Sequence, residues 1–253
     1  YVPDKGSKDG NSTIAYNKAN CPPSNAKLFM DFNDVKALIE VGGSMWQDRQ
    51  ALAASYEVPI DGGNHVIFSG SIWMGGLDVN GQLKLAAITF RSGNDFWAGP
   101  LSQTVGTGTY DPTGPVGFDA TRDFGAATID PSQCTKYDKF FTIAKSEVIA
   151  WTLNWECDQD PACTDEDIEI STDAINRILN WPAHGDPSIG QDYYLAPFYD
   201  YPTEEGGAGD GTYDPNQGDI PWFDDILGRD DVECGIDRRV TLFGDKTNWW
   251  VFN

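Results

Sequence analysis

A chain of 253 residues with 39 acidic and 17 basic side chains carries a net charge of −22, which repels nucleic acid and anionic membrane and excludes nucleic-acid recognition. Apolar residues make up 40% and aromatic ones 13%, enough to build a core in one large or two small domains rather than a disordered chain. The 27 glycines and 15 prolines favour many short strands joined by turns, and no apolar run reaches the roughly 20 residues of a membrane span.

Residues 1–26 are polar and turn-rich and read as an N-terminal extension, with Asn11-Ser12-Thr13 matching the glycan-acceptor pattern. A start at Tyr1 reads as a processed form. Residues 27–253 read as one mainly β domain. Its first segment, LFMDFNDVKALIEVGGSMW, gives a helical signal: Asn33 or Asp34 caps a short helix through Ile39, and Gly42-Gly43 stops it. Asp31 and Asp34 form a carboxylate pair there, for which a solvated cap outweighs a metal site.

From Tyr56 the pattern becomes strands: YEVPI, HVIFSGSIWMGGL, QLKLAAITF and NDFWAGPL, separated by glycine- and asparagine-bearing turns. VNGQ at 79–82 is the clearest hairpin. LKLAAITF alternates only in part, which predicts a strand covered on both faces. His65 opens a strand and reads as structural. Residues 101–135 form a connection without periodicity. It contains Gly108-Thr109-Tyr110-Asp111-Pro112, which returns as Gly211-Thr212-Tyr213-Asp214-Pro215. Thr107 precedes the first copy where Asp210 precedes the second, so shared turn chemistry explains the echo better than a second metal site at Asp111.

FFTIAKSEVIAW reads as a strand pair or a short helix, followed by an acidic loop over 156–169. Ser171-Thr172-Asp173 then starts a helix, with Ala174, Ile175, Ile178 and Leu179 at helical spacing, ending before Trp181-Pro182. RRVTLF and NWWVFN read as strands, and an end on a strand suggests a fragment of a larger chain. The predicted fold is a sandwich-like β domain with two short helices and a long acidic excursion over 196–237; part of a β-propeller is the alternative.

The excursion concentrates the chemistry. Between Asp200 and Asp237 twelve acidic residues accompany one basic residue, Arg229, so folding requires solvation or a cation. Asp200, Asp210, Asp214 and Asp219, with the Asp210-Gly211 turn and the carbonyl of Thr212, look like a stretched calcium loop. Zinc is disfavoured because no Cys or His lies inside it, and affinity on the order of 10⁻⁴ M is expected. His184, in Pro-Ala-His-Gly-Asp, is the one serious catalytic candidate, since no Gly-x-Ser-x-Gly, His-Glu-x-x-His or phosphate loop occurs. A histidine in a Pro/Gly turn more often bonds the backbone, so the reading is non-enzymatic. Trp181, Trp222, Trp249 and Trp250 offer rings for sugar stacking, Trp222 and Trp249 foremost, which keeps a glycan-binding or glycan-cleaving module as the alternative. Of Cys21, Cys134, Cys157, Cys163 and Cys234, the pair Cys157 and Cys163 brackets a short loop suited to a local disulfide, and the odd count leaves at least one cysteine over.

The segments NDVKALIEVGGSMW, YEVPIDGGNHVIFSGSIWMGGLDVNGQLKLAAITFRSGNDFWAGPL, INRILNWPAHGDPSIGQDYYLAPFYD and DGTYDPNQGDIP resemble the N-terminal region of large Bacteroidetes cell-surface and secreted proteins that end in a type IX secretion sorting domain. The resemblance covers roughly residues 30–253. It implies export through the type IX translocon, an extracellular or cell-surface location, and a role in adhesion or surface structure. Partners would be other surface proteins or further domains of the same polypeptide. Members of that family usually carry a compact Asp-x-Asn-Gly-Asp-Gly loop before the Tyr-x-Pro segment; here Tyr201 to Gly209 separates Asp200 from Asp210.

Overall fold

A strand, not a helix, occupies the segment after Asn33. In the computed structural model, which describes residues 21–22, 24–77, 83–88, 96–100, 131–163, 168–223 and 241–253, β1 (Lys27–Met30) and β2 (Lys36–Glu40) form an antiparallel hairpin. The predicted helix through Ile39 is thereby corrected. Val35 N–H donates to Asn33 Oδ1 at 2.8 Å, the same side-chain-to-backbone bond that caps helices, used here to close a turn. Ala37, Leu38 and Ile39 are all buried because β2 lies inside a five-stranded sheet. It pairs with β1, with β3 (Ser44–Met45) and with β6 (Tyr56–Glu57), and β7 (Gly70–Ser71) extends the sheet beyond β3. A strand covered on both sides has no alternation to betray it.

β4 (Gln47–Asp48) and β5 (Ala53–Ala54) form a small side ribbon, and β8 (Trp73–Leu77) pairs with β9 (Leu83–Ala87) in another. The second ribbon corrects the expectation for LKLAAITF: Leu83 and Leu85 are exposed, not covered.

The C-terminal half holds the helices. FFTIAKSEVIAW resolves as strand then helix: β10 (Phe141–Ala144) runs straight into α2 (Lys145–Gln159), after a short α1 (Pro131–Tyr137). Helix α2 thus extends into the segment predicted as an acidic loop. Its buried residues Val148, Thr152 and Trp155 recur at helical spacing. Glu147 accepts from Ala144 N–H at 3.1 Å and forms a two-point ion pair with Arg177, which sits on α3 (Thr172–Leu179). That helix begins as predicted, with Ser171 Oγ accepting from Ala174 N–H at 3.2 Å. β11 (Phe198–Tyr199) pairs with β12 (Ile220–Pro221), and β10 with β13 (Lys246–Trp249).

The main core lies here: Ile143, Val148, Trp155, Ile178, Trp181, Phe198, Tyr201, Ile220 and Phe223 pack together. A second cluster of Val41, Ala98 and Tyr137, with Leu195 and Trp250 against it, joins the N-terminal sheet to this half. Cys21 and Cys134 form a disulfide across the same seam, and the Asp138 carboxylate accepts from the Asn25 and Ala26 amides at 2.9 to 3.1 Å. Among the described residues the architecture is strand-rich, with few short helices and no closed barrel. No helix among the described residues is long and apolar enough to cross a membrane. The Asn11 triplet, the VNGQ turn, the Asp111 copy, Cys234 and the acidic residues of 224–237 lie outside the described residues.

Candidate functional site

One Asp-Pro turn lies in the acidic excursion and a second just before it. Asp186-Pro187-Ser188-Ile189-Gly190-Gln191 and Asp214-Pro215-Asn216-Gln217-Gly218-Asp219 share one design. In each, the first aspartate caps a single 3-10 turn by accepting the amide two residues on, Ser188 at 2.9 Å and Asn216 at 3.0 Å. Proline, lacking an N–H, takes the next position, where no donor is needed. Glycine ends the turn at positive φ, 80° at Gly190 and 98° at Gly218. Gly218 also has no room for a side chain, since a Cβ would stand 2.8 Å from the Trp155 ring.

The last residue of each turn folds back on the first. Asp186 N–H donates to Gln191 Oε1 at 2.9 Å, and Asp214 N–H to Asp219 Oδ2 at 2.8 Å. Both of these side chains are fully buried. Gln191 then donates from Nε2 to Gln133 Oε1 at 3.1 Å, whereas Asp219 Oδ1 accepts from Tyr201 N–H at 2.8 Å. Burial pushes the Asp219 pKa up to about 6, Asp200 and Asp210 push the same way, and its two amide donors oppose them. The sequence reading missed Gln191 and this repeat; the spacing Asp-Pro-x-x-Gly-Gln/Asp was the available signal.

The predicted calcium ligands fare differently from one another. Asp200 accepts from Gly211 N–H at 2.6 Å on Oδ2, while its Oδ1 is buried without a hydrogen-bond partner. Asp210 is exposed and accepts from Thr212 N–H at 2.8 Å on Oδ1. Asp200, Asp210 and Asp219 share one electrostatic neighbourhood. Asp214 is turned to its own turn: Oδ1 accepts from Asn216 and Oδ2 from Gln217, the Gln217 bond foremost in holding its carboxyl below the ordinary range. Thr212 is exposed, with its hydroxyl 3.1 Å from that of Tyr193. Among the described residues no group of three or more His, Cys, Asp or Glu is arranged to hold a metal. Acceptor capacity remains at Asp200 Oδ1 and on the exposed carboxylate of Asp210.

His184 is committed to the backbone on both sides. Tyr213 N–H donates to its Nε2 at 2.8 Å, so Nε2 carries no proton, and Nδ1 donates to the Tyr193 carbonyl at 3.0 Å. Burial lowers its pKa, against the Tyr193 bond and the charges of Asp200 and Asp210. The ring stacks on Tyr193 at 4.1 Å and meets Phe198 edge-on at 5.0 Å. A neutral imidazole is therefore a strut between the two turns. The Tyr213 hydroxyl, donating to the Ile178 carbonyl at 2.8 Å, ties the second turn to α3.

Of the tryptophans considered for sugar stacking, Trp181 and Trp222 are buried and Trp249 and Trp250 are half-buried. Trp222 is 9% exposed and meets Tyr199 edge-on at 5.4 Å. Trp249 packs between Phe141 and Trp181 against the main core, and Trp181 is buried with its indole N–H on the Pro197 carbonyl. Trp250 packs against Phe140 in the second cluster. Cys157 and Cys163 are joined in a disulfide at the end of α2. Comparison with known protein families, with curated proteins and with solved structures finds no match.

Proposed function

We propose that the chain is a non-enzymatic, adhesin-like module at the bacterial cell surface, exported by a type IX secretion system of the Bacteroidetes kind and stabilised by calcium. The observation that carries the calcium reading is Asp200 Oδ1, buried and unpaired beside Asp210 and Asp219. A buried carboxylate oxygen without a donor is costly, and a hard cation that takes oxygen ligands supplies the missing partner. Asp200, Asp210 and the carbonyl of Thr212 would hold the ion, with Asp219 the buried charge behind them, while Asp214 keeps its capping role. Calcium would offset the local repulsion and fasten 198–221 to the α2–α3 body.

Two disulfides in the described residues support residence in an oxidising compartment. The engagement of both His184 nitrogens supports a structural role for the one catalytic candidate. In this reading the strand-rich body is sandwich-like, the acidic turns are its excursion, and its partners are the translocon during export and then other surface proteins or further domains.

Chelation is the test. Removing calcium should lower the melting temperature by about 5 °C at millimolar ion if affinity is on the order of 10⁻⁴ M. Asp200→Asn should melt at the chelated temperature with or without calcium. Equal melting of the wild type in both buffers would reject the calcium reading. Surface proteolysis of source cells tests export separately: exposure that persists when the type IX translocon is inactivated would reject it.

A further inference from the structure

The ribbon of β8 and β9 stands apart from the sheets. Among the described strands each pairs only with the other, and a two-stranded ribbon alone is marginal in water. Its register couples Trp73 with Ala87, Gly75 with Leu85 and Leu77 with Leu83, so strand alternation gathers these six residues on one face. That face is apolar throughout and open: Trp73 is 71% exposed, Leu77 72%, Leu83 59% and Leu85 66%. Exposed Val66 and Phe68 precede it in the chain. The Trp73 indole is fixed, its N–H shared between Ser71 Oγ and the Ile88 carbonyl, each at 3.0 Å. With its single donor satisfied internally, the ring offers only apolar surface.

Charge is sparse in the same place. In a chain of net charge −22, residues 73–88 hold one carboxylate, Asp78, and one cation, Lys84. A basic partner would dock on the acidic surface instead, and an anionic membrane is repelled by the chain as a whole. A like-charged partner finds here the approach of least repulsion. The four large side chains offer on the order of 400–500 Å², below the roughly 800 Å² per partner of a standard stable interface and in the range of a weak one.

We propose that this face is a homodimer contact, in which two copies pack their β8–β9 ribbons face to face about a twofold axis. An isologous contact sets the patch against itself, and a patch with no side-chain polar group left to pair buries nothing unsatisfied when it meets its copy. Affinity on the order of 10⁻⁶ to 10⁻⁵ M suits a contact of this modest size.

Sedimentation of the calcium-loaded protein from about 1 to about 100 μM brackets that affinity. Monomer at the low end and dimer at the high end are expected. Raising NaCl from about 0.05 to about 0.5 M should tighten the dimer several-fold, because salt screens the like charges and leaves the apolar contact intact. The double substitution Leu77→Asp with Leu85→Asp should abolish the dimer and leave the melting temperature unchanged. Should that variant misfold, Leu85→Ser alone should weaken the dimer at least tenfold by the same readout. A monomer at every concentration, a dimer indifferent to these substitutions, or one weakened by salt would overturn the proposal. So would a monomer that instead sediments with phosphatidylcholine vesicles, which would assign the face to lipid.

Discussion

The two Asp-Pro turns share a backbone and differ in the residue that closes them. Gln191 and Asp219 both accept the amide of the first turn residue, and both are fully buried. What separates them is the second contact. Gln191 meets an acceptor, Gln133 Oε1, and a neutral amide has a donor for it; Asp219 meets a donor, Tyr201 N–H, and needs a second acceptor oxygen. Hydrogen-bond count thus accounts for a buried carboxylate, and its raised pKa is the consequence. The charge, once present, acts on Asp200 and Asp210 nearby, where the neutral turn has no counterpart.

Glycine substitution should break the comparison most strongly. Gly218→Ala drives a methyl into the Trp155 ring at a positive φ and should cost about 3 kcal/mol or more, whereas Gly190→Ala, carrying the φ strain, should cost about 1–2 kcal/mol. Chemical denaturation of the two variants checks the order.

Asp219→Asn comes next. An amide cannot accept on both sides, so either Tyr201 N–H or Asp214 N–H is stranded, at about 1–3 kcal/mol. The same denaturation curves measure it.

The pH dependence sharpens the contrast. Asp219 has a folded pKa of about 6, above its unfolded value, so its stabilising contribution is fully present below about pH 4 and is lost as pH rises through about 6. In calcium-free buffer the stability gap between wild type and Asp219→Asn should therefore widen in favour of wild type by on the order of 2 kcal/mol between about pH 8 and about pH 4. His184 runs the other way: its pKa is lowered, so its contribution is present above about pH 6.5 and lost as pH falls through the depressed value. It cancels in the difference between the two proteins. A gap independent of pH would mean that the Asp219 charge is not strained.

The smallest effect is expected far from the turns. Leu85→Asp on the open ribbon should change the stability of the monomer by no more than about 0.5 kcal/mol, measured at a concentration below that of association.

Part of this was legible in the sequence. The α3 helix carried its own signals, Ser171 at the cap and Ala174 and Ile178 on the buried face. The turns announced themselves through Asp-Pro and glycine. Position 33 misled because an asparagine bonding a nearby amide serves a helix cap and a β-turn alike, and only the neighbouring strands decide between them. LKLAAITF misled in the opposite sense, since an apolar run looks the same whether it is buried in a sheet or left open on a ribbon. In the acidic unit the sequence identified the carboxylates but not how they are spent. Asp214 caps the second turn and Asp219 closes it, the latter role fixed by partners such as Tyr201, 18 residues away. The Cys21–Cys134 bridge spans 113 residues, and spacing says nothing about so distant a pair.

Calorimetric titration of calcium into metal-free protein at about pH 7.5 reads the acidic unit directly. A single site with Kd on the order of 10⁻⁴ M is expected. Asp200→Asn should weaken it at least tenfold, Asp158→Ala on the exposed end of α2 should leave it unchanged, and magnesium should bind more weakly because it demands near-ideal octahedral geometry and dehydrates reluctantly. Lowering the pH through 6 should weaken calcium binding as Asp219 takes up its proton. No heat of binding at millimolar calcium, or a site that Asp200→Asn leaves intact, would contradict a calcium-locked turn unit.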